Sequence, residues 1–382
     1  MDRHLHIIPD IAVAVLLFAA CGKVPSIEVG KDIPVYINAE IQDVSETKNP
    51  TFETSFPAYN DNDLRGSYGI FVCKNGTTNR ANAHKTNSYN LQAKYDGTNW
   101  TYYYVADLSS GQVSESGNNH VTLTKRDDTP KTADLYAYSP YIRDAYAYGP
   151  TAIPYSITRI RWSNIYQYDL MYAVENSATY SGTDGSNANF DPESEDPLQA
   201  NFTFRHAFAL MEFKFKLGND AVSGAYGTGT NYALTNITVT LQDGATTAHL
   251  YSSGSFNAIT GEFVDNNEVS SVSIPQYDKV ISSATSDTIV DLMLVPTEVA
   301  DNELIFTFTV NGKTLQPFSL LATHLRRYTD DTHSTPVPDT EGKLEGGYIY
   351  TFSFTLDNYL YLDDFSVGVW TTPVNPLGEQ EI

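Results

Sequence analysis

Two thiols, eight imidazoles and 46 carboxylates are the groups in this chain that could serve as nucleophiles, bases or metal ligands. Cys73 ends the apolar run SYGIFVC. A reactive thiol needs a neighbouring His or cation to form the thiolate. No second thiol or nearby His stands beside Cys73, so it reads as a small buried hydrophobe. The His residues are scattered without metal-ligand spacing. His206, in FTFRHAFAL, interrupts an apolar strand and reads as a hydrogen-bonded structural residue. The acidic stretches NDND (60–63) and DPESED (191–196) carry enough oxygens for calcium but lack the regular spacing of a defined site. There is no G-x-S-x-G elbow, H-E-x-x-H pair or Walker loop, and YGTGTNY lacks the third glycine of a dinucleotide turn. No catalytic residue, metal ligand or cofactor is assigned. The tyrosines of LYAYSPYIRDAYAYGP (Tyr136, Tyr138, Tyr141, Tyr146, Tyr148), with Tyr155 beyond, admit two readings. They form either an exposed aromatic platform for sugars or a strand end packing its own loops.

The elements that must position these residues are strands. No window holds a helical period over twelve residues, whereas two-residue alternation recurs. In DIPVYINAEI, Ile33, Val35, Ile37, Ala39 and Ile41 share one face. Met211, Phe213, Phe215 and Leu217 alternate with Glu212, Lys214 and Lys216; 304–310 and 348–356 follow the same rule. Clusters such as KNGTTN, KYDGTN and VNGK separate the runs. About seven candidate strands fall on each side of a midpoint near residue 205, so the expectation is an all-β chain of two tandem seven-stranded β-sandwiches, 21–205 and 206–382. A net charge of −23 argues against nucleic acid and anionic membrane surfaces as partners. The 27 tyrosines and 18% charged residues suit an extracytoplasmic β protein.

Residues 11–20, IAVAVLLFAA, fall short of the roughly 20 needed to span a bilayer and suit the core of a secretion signal. Cys21 follows the small residues Ala19 and Ala20. The segment resembles a bacterial lipoprotein signal, with 1–20 removed and Cys21 lipidated. Cys73 then has no disulfide partner.

Four further phrases, SYGIFV, LYAYSPY, DLMYA and FRHAFALMEFKF, follow in order behind that cysteine and the 33–41 strand. Together they resemble the fimbrillin-like family of Bacteroidales, the subunits of type V pili, over nearly all of residues 21–370. The resemblance implies transthyretin-like sandwiches exported as an outer-membrane, cell-surface lipoprotein. It also implies an arginine-specific protease that removes the first strand so that another pilus subunit can fill the groove. Arg65 is the first arginine after Cys21, so Arg65–Gly66 is the expected scissile bond and 33–41 the plug released with the lipid. Arg65 as an ordinary solvated residue remains the other reading. Other subunits, the protease and a host glycan or protein receptor are the partners expected. A glycan-binding or anchor lipoprotein that does not polymerise is the alternative.

Overall fold

The computed structural model describes residues 32–41, 66–74, 77–83, 85, 87–107, 109–114, 116–124, 133–157, 169–173, 179–180, 198–218, 232–329, 334–357 and 359–369. These residues form an all-β protein with short 3-10 turns, such as Arg143–Ala147 and Ala322–Leu325. In chain order the first strands are β1 (Asp32–Ile41), β2 (Ser67–Lys74), β3 (Tyr89–Tyr95), β4 (Trp100–Tyr103), β5 (Val105–Asp107) and β6 (Gln112–Val113). There follow β7 (Val121–Thr124), β8 (Ala133–Ser139), β9 (Ile153–Ser156), β10 (Met171–Ala173), β11 (Thr179–Tyr180) and β12 (Leu198–His206).

Nine of these make one sheet in the order β4-β3-β2-β8-β10-β12-β1-β7, with β11 also on β12. The sheet curls over its own core. Tyr68 of β2 lies 5.3 Å from Phe204 of β12, although β8 and β10 stand between the two strands. In a flat sheet, strands three places apart would be about 14 Å apart. Tyr68, Ile70, Val72, Leu91, Val121, Phe202 and Phe204 are buried in this core.

The later strands are β13 (Ala209–Leu217), β14 (Tyr232–Leu241), β15 (Tyr251–Phe256), β16 (Phe263–Glu268), β17 (Ser271–Ile281), β18 (Thr288–Leu294) and β19 (Thr297–Glu298). β20 (Leu304–Val310), β21 (Lys313–Thr314), β22 (Phe318–Ser319), β23 (Lys343–Leu344), β24 (Tyr348–Leu356) and β25 (Leu360–Val369) complete the set. Two sheets, β18-β13-β24-β25 and β17-β14-β20-β21 with β22, face each other. The alternation explains why. Phe213 and Phe215 are fully buried while Glu212, Lys214 and Lys216 stay half-exposed on the other face. Phe213 meets Phe306, Phe308 and Phe352 at 5.3, 5.2 and 5.9 Å, so the aromatic rings of both sheets interlock.

The described strands outnumber the expected seven per half. Many of the extra ones are two- to four-residue segments too short to show an alternation. One of them, β9, pairs with β15 in the sheet β16-β15-β9, across the position near 205. Tyr155 of β9 packs on Phe208 and Phe263 at 5.9 and 5.0 Å.

Candidate functional site

β1 is an interior strand. It runs parallel to β12, from Val35 opposite Leu198 to Ile41 opposite Phe204, and antiparallel to β7, from Asp32 opposite Thr124 to Val35 opposite Val121. Among the described residues, β7 has no other partner in that sheet. Withdrawing β1 therefore opens two backbone ladders at once, one of each sense, with a slot between them.

The side chains fit the same picture. Val35 and Ile37 are 2% and 6% exposed and belong to the first core, and Ala39 packs against it. Tyr36, on the opposite face, is 39% exposed and lies 5.7 Å from the His120 ring. The side chains of Ile33 and Ile41 lie outside the described residues. Complete burial of a Val or Ile contributes about 1.5–3 kcal/mol, so these two residues seat the strand firmly.

A polar contact fixes the register. The Tyr102 hydroxyl donates to the Ile37 carbonyl at 3.2 Å and stands 3.3 Å from the Tyr68 hydroxyl. Burial pushes the pKa of both phenols well above the ordinary value, so both stay protonated and able to donate. A strand that replaces β1 must bring a carbonyl to the same place or leave a buried donor unpaired.

Of the expected scissile bond, Gly66 is described; Arg65, Cys21 and both acidic stretches lie outside the described residues. Gly66 is buried at φ +68°, a conformation that favours glycine, and its carbonyl accepts the Tyr95 N–H at 2.8 Å. The Ser67 carbonyl accepts from Ser139 Oγ at 2.8 Å, so the chain is tied down where β2 begins.

The Tyr-rich segment packs its own loops. Tyr138, Tyr141 and Tyr155 are 0%, 5% and 7% exposed. The Tyr138 hydroxyl lies 2.7 Å from Asn90 Oδ1 and 2.9 Å from the Ile142 carbonyl, two acceptors for its one proton. Tyr146 is half-buried, its hydroxyl donating to the Ser109 carbonyl at 2.6 Å. Tyr148, 59% exposed, is the one of the group that stands well clear. Tyr141 and Tyr146 do not form a sugar platform. Cys73 is buried, and burial followed by the nearby Asp134 charge pushes its thiol up to about 12, which makes it inert.

A pairing invisible in the one-dimensional pattern joins two of the quoted phrases. Asp169 of DLMYA and His206 of FRHAF are 2% and 1% exposed, and Asp169 Oδ1 meets His206 Nδ1 at 2.9 Å. Next to it the Ala207 N–H donates to the Leu170 carbonyl at 2.8 Å, clasping the chain where β12 passes to β13. His206 is structural. Among the described residues there is no group of three His, Cys, Asp or Glu able to hold a metal ion, and no helix long and apolar enough to cross a membrane.

No curated protein matches the sequence. Among solved structures, the chain is similar to a candidate cell adhesion protein of Bacteroides ovatus, with 17% identity, TM-score 0.48, and coverage of 90% of this chain and 99% of that one. It is similar to a fimbrial protein of Bacteroides vulgatus at 13% identity and TM-score 0.43, covering 88% and 99% of the two chains. Similarity to the tip fimbrial protein Mfa3 of Porphyromonas gingivalis is 10% in identity with TM-score 0.41, covering 89% and 100%. A family model described as fimbrillin-like matches residues 58–370, most of the chain. The protein belongs to the fimbrillin-like family.

Proposed function

We propose that this protein is a structural subunit of a cell-surface fimbria that assembles by strand exchange at the slot occupied by β1. The observation that carries the reading is the place of β1 between β12 and β7, with Val35 and Ile37 in the core. Removing such a strand exposes unpaired N–H and C=O groups and apolar sockets, which a strand from another subunit can fill. In this reading the precursor is lipidated at Cys21 and held at the outer membrane. Cleavage after Arg65 by an arginine-specific protease then releases the lipid with 33–41. The chain is taken as two tandem sandwiches, 21–205 and 206–382. β25, which among the described residues is an edge strand paired with β24 alone, is the segment best placed for donation.

Gly66 favours one variant of this reading. Its buried position and the hydrogen bond from Tyr95 resist a protease, as suits a subunit that keeps β1 and anchors the fibre. Arg65→Ala separates the two. A cleaved subunit accumulates as a lipidated full-length chain and leaves the fibre; an anchor is unchanged in both respects.

A further inference from the structure

A cleft lies where the end of β12 meets the β19–β23 ribbon. Its walls include Tyr172, Arg205, Glu298, Lys343, Glu345 and Tyr348, and its volume is about 510 Å³. That falls within the roughly 300–1,000 Å³ of small-molecule sites.

The fold builds these walls firmly. Gly261, at φ +79°, lies so close to Tyr172 that an added Cβ would collide with the phenol ring. Tyr172 also packs edge-on against Phe256 at 5.5 Å. Behind another lining residue, Tyr348, the Arg327 guanidinium lies 4.3 Å over the ring, donates to its hydroxyl, and pairs with Glu345 at 3.1 Å. Both rings are half-buried and preset.

The polar groups carry both signs. Glu298 and Lys343 are cross-strand partners in the β19–β23 ribbon. Within the described residues, neither side chain has an ion pair or hydrogen bond. This excludes two ligand classes. A lipid tail would strip water from Glu298 and Lys343 and return no hydrogen bond. A polyanion would meet the Glu298 and Glu345 carboxylates alongside Arg205 and Lys343, so the mixed lining offers it no field of one sign. A polyhydroxylated, uncharged molecule satisfies all of them. Its hydroxyls donate to Glu298 and accept from Lys343, and its C–H faces cover the tyrosine rings.

We propose that this cleft binds a neutral oligosaccharide. The inference does not require strand exchange: of these residues only Arg205 lies on a strand flanking the β1 slot, β12, and it follows Phe204, the last residue there paired with β1.

The test uses the monomeric full chain and a panel of glucose, galactose, mannose and N-acetylglucosamine oligomers. Binding is followed by calorimetry on wild type and on Lys343→Ala and Glu298→Ala. The expected result is binding of at least one oligomer, weakened about tenfold or more by Lys343→Ala or Glu298→Ala. Unchanged melting temperatures of both variants show that the fold is intact. Absence of binding across the panel overturns the proposal. So does binding that both alanine variants leave unchanged.

Discussion

If β1 is a seated plug, shortening its buried side chains must loosen the slot and little else. The perturbation is Val35→Ala with Ile37→Ala in the full chain. Buried Ile→Ala costs about 2–5 kcal/mol. Val→Ala removes two methyl groups, about 1.6 kcal/mol at ~0.8 kcal/mol each. The two residues face the same core two positions apart, so the sum is not strictly additive, and about 4–5 kcal/mol is expected. At 1.4 kcal/mol per factor of ten, the opening equilibrium of β1 rises about a thousandfold. Hydrogen exchange read by mass spectrometry reports that equilibrium segment by segment. Peptides covering 121–124 and 198–206 lose protection, because both strands pair with β1. Peptides covering 304–310 and 348–356 keep theirs, because they belong to the separate aromatic core. Tyr36→Ala is the control: its side chain lies on the exposed face, and its cost stays within about 1 kcal/mol. A double variant that exchanges like wild type at 121–124 and 198–206 refutes the reasoning, since β1 would then contribute nothing to holding the sheet.

Two further outcomes follow from the polar network. Burial raises the Glu303 carboxyl, but the N–H groups of Thr246, Ala300, Ala248 and Thr247 outweigh it and hold it at about 2. A depressed carboxyl stabilises the fold above its unfolded value of about 4.5, and this is lost as pH falls toward 2. The shift alone corresponds to about 3 kcal/mol, reduced by solvent screening to about 1–2 kcal/mol. Urea denaturation of Glu303→Gln should therefore show that loss at pH 7 and a smaller one at pH 3. Asp169→Asn and His206→Ala each leave a buried polar partner behind and cost about 1–3 kcal/mol. The double variant costs less than their sum, which a mutant cycle on thermal melts detects; simple additivity contradicts the pairing.

β1 was legible because alternation over 33–41 is a local signal and one of its faces is buried. The long strands β13, β20 and β24 were legible for the same reason. β5, β6, β19 and β21 were not: two or three residues cannot show a period. The β9–β15 pairing joins residues about a hundred positions apart, and nothing in IPYS names YSSGSF as its partner. The Asp169–His206 bond was half legible, since both phrases stood out, but their contact depends on β10 lying beside β12. The fate of the tyrosines depended on burial. Composition cannot tell a ring that faces solvent from one that faces Asn90.

The central claim is tested most directly by the N-terminus of the protein in native surface fibres, determined by sequencing and intact mass. Strand exchange at the β1 slot predicts a chain beginning at Gly66, without lipid and without residues 33–41. A chain within the fibre shaft that begins at lipidated Cys21 and still carries that strand would contradict it.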